Sequence, residues 1–384
     1  MNTTTTATAL TATGILLLGA CGSRSPTPVT APDEFAWRTF LESSRTVARG
    51  DHRAAWEIWP DGEGLITNPA ASCVPDERAT KTLWESEETP LLPDASPEIK
   101  GPPAKKRARL PIAFEAEMVR PPSSGNPMEV RFNRQLCDAV LDRDLHMVEG
   151  QEDAFRKHED ISFPDGSAAV KGMWQLVDLQ NNKLPKDPAC DIASFHSYPV
   201  NDHYVNVLLA IHLSFKHPTT PNWFWATWEH QCVSKMDTFG TYAKSGMCCR
   251  DTFGRGRDGK PSHALNKLLS QSRAGAEWLN YHLVGTQSDY EKDGLPVILR
   301  NYSIEGTTPV SSSCMTCHSR ASTDYIDRPL GYLADVKGKP VSLNGRPQPS
   351  WYTDPVSFTR RFIRLGFVWT LEAGSIVPND LPEP

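Results

Sequence analysis

The chain has 384 residues, 39% of them hydrophobic and 22% charged, which is enough apolar material for a substantial buried core and argues against wholesale disorder. Forty lysines and arginines against 46 aspartates and glutamates give a net charge of -6, so the basic excess used to grip phosphate backbones is missing and nucleic acid is not an expected partner. Thirty-two prolines and 25 glycines point to long connections between short elements and disfavour a pure helical bundle.

From the amino terminus, Leu10 to Ala20 form a short apolar stretch ending in small residues, followed at once by Cys21. This is the grammar of an export signal, and Leu18-Gly19-Ala20-Cys21 resembles a bacterial lipobox. The expectation is a signal peptide over residues 1–20, absent from the mature protein, and a lipid-anchored tether over 21–33 that begins at an acylated Cys21. No run reaches the roughly 20 apolar residues of a membrane-spanning helix, so the lipid is the expected attachment. The protein is then exported to the periplasmic side and held at the outer or inner membrane as a lipoprotein.

Asp33 to Leu41 combine a capping residue with helical apolar spacing, and Phe132, Leu136, Val140 and Leu141 repeat that spacing on a second helix. Between them, residues 87–109 are rich in proline and charge and read as an exposed loop ending in the basic cluster Lys105 to Arg109. Residues 168–179 read as a strand. Tyr204 to Lys216 and Trp223 to His230 are apolar runs rich in strand formers, joined by His217-Pro-Thr-Thr-Pro-Asn222, and predict a long aromatic hairpin. Its strands carry His212 and His230, and the pairing register decides whether the two rings share a face. Residues 261–282 look helical, while 281–286 and 297–304 are strand candidates. The fold class is therefore α+β, as mixed helices with a long aromatic β-hairpin. The expected organisation is an α+β core over 34–290 with a haem-attachment segment and tail over 291–384, packed on it as one unit.

Ser313-Cys314-Met315-Thr316-Cys317-His318 contains the one C-x-x-C-H motif of the chain. Two thiols three positions apart can take up the two vinyl groups of one haem, and the next histidine is placed to ligate the iron. One covalent haem c is the expected cofactor, bound by Cys314 and Cys317 with His318 as proximal iron ligand. In small all-α cytochromes c the motif lies near the start and a later methionine completes the coordination. Here no methionine or histidine follows His318, so any sixth ligand comes from upstream or the position is open. His230, beside Trp225, Trp228 and Glu229, is the first candidate distal ligand, and His212 is the alternative. Cysteine arithmetic agrees with export: setting aside Cys21, Cys314 and Cys317 leaves Cys73, Cys137, Cys190, Cys232, Cys248 and Cys249, an even set that allows up to three disulfides, with adjacent Cys248 and Cys249 each pairing elsewhere.

Taken together, Phe35-Ala-Trp37-Arg-Thr-Phe40, Trp56-Glu-Ile-Trp59, Val170-Lys171-Gly-Met-Trp174, His212 with Lys216, Trp225-Ala-Thr-Trp-Glu229-His230, Leu283-Val-Gly-Thr-Gln287 and Asn301 with Glu305 ahead of the motif resemble a group of bacterial cytochrome c family proteins. The likeness runs from about Phe35 to His318, and the tail after His318 departs from it. The resemblance implies that the hairpin and the haem segment form one unit, without naming a reaction. The leading functional expectation is a lipoprotein c-type cytochrome that transfers electrons to or from a redox partner protein. The alternatives are a haem-dependent oxidoreductase such as a peroxidase, with Glu229 or a histidine moving protons, and a module that senses a gas or peroxide through an open iron.

Overall fold

A computed structural model describes residues 26–47, 52–67, 73, 128–182, 184–233, 251–256, 258–305, 311–324, 343–353 and 362–371. Cys21, the basic cluster at 105–109, Cys248 and Cys249 lie outside the described residues. No helix among the described residues is long and apolar enough to cross a membrane.

The helix α1 (Pro32–Ser43) opens with a proline in its first turn, where no N–H is needed, and with Asp33 and Glu34 beside the positive end of the helix dipole. After the short helix α2 (Gly62–Thr67) comes strand β1 (Met128–Phe132). Phe132 therefore ends a strand and does not start the second helix. Asn133 makes the switch: its side-chain oxygen caps α3 (Arg134–Asp142) by accepting the Leu136 N–H, while its amide donates to the Gly166 carbonyl at 2.7 Å. Helix α4 (Val148–Arg156) precedes β2 (Ala168–Asp178) and the short β3 (Ser197–Pro199). The expected hairpin follows as β4 (Tyr204–Lys216) and β5 (Trp223–His230).

The helical reading of 261–282 holds for α5 (His263–Gln271), after which a 3₁₀ turn at Ala276–Asn280 leads into β6 (Tyr281–Gln287). Small ribbons β7 (Glu291–Lys292) and β8 (Leu295–Pro296) pair with each other, as do β9 (Ser322–Asp324) and β10 (Phe362–Arg364). Between β8 and β9 lies the motif helix α6 (Cys314–His318). Residues 297–304 are not a strand. Their backbone makes one isolated bridge, Leu299 to Ser313, and side chains of Asn301 and Glu305 take up the local N–H groups that a ladder would otherwise use.

The architecture is α+β, centred on a six-stranded antiparallel sheet in the order β1-β2-β4-β5-β6, with β3 also paired to β4. Strand alternation gives the sheet two distinct faces. Ala168, Val170, Leu213, Phe215, Phe224, Ala226 and Trp228 point to one of them, where α1 covers them. Phe40 stacks on Trp228 there with ring centroids 4.3 Å apart, an arrangement that adds about 1 kcal/mol to the area it buries. The opposite face carries Trp223 and Trp225, which share a second apolar cluster with Leu136 and Val140 of α3, Cys314 and Met315 of α6, and Ile363 of β10. The two stretches on either side of residue 290 are thus joined by one core. Disulfides Cys73–Cys137 and Cys190–Cys232 staple α3 to the segment before β1 and the end of β5 to the turn before β3.

On the α1 side a buried His196–Glu57 pair lies in the core, with Glu277 at its edge. The His196 Nε2 meets Glu57 Oε1, its Nδ1 lies 3.6 Å from Glu277 Oε1, and its ring stacks on Trp278 at 4.4 Å. Burial pulls the His196 pKa down, but Glu57 and Glu277 together outweigh it and hold the imidazole cationic to about 9. Because this value lies above the unfolded one, the stabilisation is fully present below about pH 6.5 and is lost as pH rises through 9. Thermal unfolding should show a falling melting temperature between pH 7 and pH 9.5. His196→Gln should remove that slope and cost about 3 kcal/mol at pH 6, as expected for breaking a buried ion pair. A variant that keeps the wild-type slope would assign it to other groups.

Candidate haem-attachment site

The motif helix α6 is short, and its stability comes from partners on every side. Ser313 caps it by accepting the Thr316 N–H, and the Gln287 side chain at the end of β6 accepts the Met315 N–H at 3.1 Å. Leu299 takes the Cys314 N–H at 2.9 Å, and the Thr316 hydroxyl donates to the Gly345 carbonyl at 2.7 Å. Residues three apart lie on one face of a helix, so Cys314 and Cys317 present their sulfurs to the same side. Among the described residues they are the free thiols, the other cysteines being paired. Burial raises both thiol pKa values, that of Cys317 to about 12, so they are protonated at neutral pH.

Both thiols and His318 border a cavity of about 500 Å³ on the second face of the sheet. Met128, Val130 and Phe132 of β1, Trp223 and Trp225 of β5, and Val368 and Trp369 form its apolar walls. The hairpin thus supplies part of the wall, as expected. The tail supplies another part that the sequence reading left without a role. Besides the motif, the ionisable side chains that line it are Lys171, His212, Arg300 and Glu305.

His318 is held from the tail. Its Nδ1–H donates to the Phe367 carbonyl at 2.9 Å, and its ring lies 5.6 Å from that of Trp225. Phe367 has φ 72° and follows Gly366 at φ 60°, two successive left-handed residues. A bulky side chain rarely accepts that conformation, and such outliers concentrate where geometry serves a site. A Cβ on Gly366 would come within 2.8 Å of the Phe163 ring, so glycine is needed there twice over. The turn aims one carbonyl at one imidazole nitrogen and leaves Nε2 as the nitrogen for a metal. Burial first of all lowers the His318 pKa to about 4, so the ring is neutral at pH 7, as a ligand must be.

The structure brings His212 to the cavity and leaves His230 away from it. His212 pairs with Thr227 in the β4–β5 ladder, three positions before His230, and an odd offset puts the two rings on opposite faces. His230 Nε2–H donates to the Ser194 carbonyl at 3.1 Å, its Nδ1 accepts the Cys232 N–H at 3.2 Å, and its ring stacks on Phe195. Both nitrogens are in use, and burial keeps the ring neutral down to about pH 3. Of the aromatic neighbours that made His230 the first candidate, Trp228 packs in the α1 core while Trp225 points to the cavity on the other face. His212 differs in each respect: it lines the cavity, its Nε2–H donates to Glu305 Oε1 at 2.6 Å, and its buried Nδ1 has no hydrogen-bond partner among the described residues.

The residues present fit a haem. Two free thiols, a neutral imidazole with one nitrogen already oriented by a carbonyl, an apolar wall and a second imidazole, that of His212, line one space. Among the described residues there is no cluster of three or more histidine, cysteine or carboxylate side chains arranged to hold a bare metal ion. Comparison with family models, curated proteins and solved structures finds no match.

Glu229, a proton-transfer candidate in the sequence, is sealed 1% exposed behind the loop that carries Glu305. Burial above all raises its pKa to about 7, against hydrogen bonds from the Ser303 and Tyr302 backbone, and Glu305 adds to the rise. A carboxyl with a raised folded pKa favours folding below its unfolded value of about 4.5, and that contribution is lost as pH climbs through 7. Glu229→Gln, which cannot ionise, should raise the melting temperature at pH 8.5 and change it little at pH 4.5. The reverse order in a calorimetric pH series would show that Glu229 is ionised in the fold.

Proposed function

We propose that the chain is a lipid-anchored c-type cytochrome that carries single electrons to or from a redox partner protein. One haem would be held by thioether bonds from Cys314 and Cys317, with His318 as proximal ligand and His212 as the sixth. The bound haem would supply a one-electron iron centre. The chain's own residues orient it, shield it with Trp223, Trp225 and Trp369, and hold the two imidazoles, His318 by the Phe367 carbonyl and His212 by Glu305.

The observation that carries this reading is that the two free thiols of Cys314 and Cys317, His318 and His212 line one cavity. Two nitrogen ligands favour electron transfer over binding of small molecules, which require an open iron position. The oxidoreductase and sensor readings need such an opening, and no observation here favours them above electron transfer.

Export supports covalent haem attachment, and it is supported by the leader-like residues 1–20 and by disulfides, which persist in oxidising compartments. Mass spectrometry of membrane fractions should find the mature chain beginning at acylated Cys21, whereas an intact Met1 terminus on mature protein would contradict the anchor.

Haem staining after denaturing electrophoresis should follow the wild-type band and be lost in the Cys314→Ser, Cys317→Ser double variant. The wild-type absorption spectrum should be low-spin and unaltered by CO. His212→Ala should turn it high-spin and open it to CO, while His230→Ala, provided it folds, should leave the spectrum unchanged. A wild type that is already high-spin and binds CO would rule out His212 as ligand and restore the open-iron readings.

A further inference from the structure

The sheet wall of the cavity carries more donors than the chain itself satisfies. Lys171 stands within β2, paired with Val130 of β1 on one side and with His212 of β4 on the other, so ladders on both edges fix its backbone while its side chain lines the cavity. Among the described residues its ammonium makes no hydrogen bond or ion pair. Ser214 lies diagonally across the same ladder, paired with Ala169 and Trp225, and its hydroxyl also has no partner among the described residues. Arg300 adds a second cation to the wall, with its guanidinium donating to the Glu305 carbonyl at 2.6 Å and lying 4.0 Å over the Tyr302 ring. Against these donors, Glu305 is the one carboxylate among the described lining residues, and its oxygens already accept the His212 Nε2–H at 2.6 Å and the Asn301 N–H at 2.8 Å. The Lys171 charge also reaches the motif: behind the larger effect of burial, it opposes the rise in both thiol pKa values and deepens the fall at His318.

We infer that Lys171, with Ser214 beside it, is a carboxylate-binding subsite that takes the acid group of an otherwise apolar ligand. Any occupant packed against Phe132, Trp223 and Trp225 takes water away from Lys171, and an ammonium removed from water without a counter-charge is strongly disfavoured. The occupant must therefore bring an anion of its own. An inorganic anion would meet the ammonium and leave the tryptophans without contact, while a purely apolar molecule would leave the ammonium unpaired. An apolar body that ends in a carboxylate satisfies both walls, through packing on one side and a charge-assisted hydrogen bond on the other. Two sources share this chemistry. One is a propionate of the haem, and for it the inference rests on the haem proposed above; the other is a free apolar acid, for which the cavity alone suffices. Neither depends on which residue fills the sixth position of the iron.

Lys171→Met keeps an apolar stem and removes the charge, and melting without ligand shows that the variant folds. Resonance Raman spectra of the holoprotein read the propionate bending band, whose frequency follows hydrogen bonding to the carboxylate. Thermal melts with benzoate, against uncharged benzyl alcohol, read the binding of a free acid. If Lys171 holds a propionate, the band shifts in Lys171→Met, and benzoate leaves the wild-type melting temperature unchanged. If it holds a free acid, benzoate but not benzyl alcohol raises the wild-type melting temperature to saturation, Lys171→Met weakens benzoate binding about tenfold or more, and the band is the same in both proteins. A folded Lys171→Met that keeps both the wild-type band and the wild-type benzoate response overturns the inference. Absence of haem stain from the wild type would strike the haem reading alone. In that haem-free chain, a benzoate response that Lys171→Met loses still supports the subsite, and no response in the wild type overturns it.

Discussion

The register between β4 and β5 is the constraint on which the site depends. With His212 opposite Thr227 and Trp225 opposite Ser214, the cavity-facing side of the sheet collects Lys171, His212, Ser214 and Trp225, while Trp228 and Phe224 turn to the α1 core. A slip of one residue would exchange the two sets, place charged and polar groups against Phe40, and expose Trp228 to the cavity. The register is well fixed because both faces are buried and chemically different. Every residue of β5 is buried, and most of β4 is as well.

A sheet face alone does not make a site, and the remaining parts come from irregular backbone. The Gly366–Phe367 turn delivers a carbonyl to His318, and the Leu299 to Glu305 segment delivers a carboxylate to His212. The first binds His318 Nδ1, and the second binds His212 Nε2 from a side chain that itself lines the cavity. The arrangement uses loops where directional groups are needed and strands where shape and exclusion of water are needed. Irregular backbone is tolerated here because its polar groups are paired: Asn301, Glu305, Gln287 and Ser313 satisfy N–H groups that would otherwise be buried alone.

Much of this was legible in the sequence. The motif Cys314, Cys317 and His318 depends on local spacing, which a sequence displays directly, and the hairpin is announced by two apolar runs around a proline-rich turn. The α+β class followed from the same patterns. The choice between His230 and His212 was not legible, because it turns on the pairing register: Trp225 lines the cavity, but Trp228 packs against α1 and His230 itself stacks on Phe195. The strand expected at 297–304 failed because alternating apolar residues there coincide with Asn301 and Glu305, whose side chains compete for backbone N–H groups. The tail contribution was hidden because a backbone carbonyl leaves no mark in residue type, and only Gly366 hinted at a special turn.

The central claim is that one haem is covalently bound at Cys314 and Cys317, in the cavity that His212 and His318 share. Proteolysis of the protein purified from cells competent in haem attachment, followed by mass spectrometry of the fragments, tests it most directly. The peptide that spans Cys314 to His318 should carry the mass of one haem through denaturation, and no other peptide should. Recovery of that peptide with both thiols free, or joined to each other, from such cells would contradict the account.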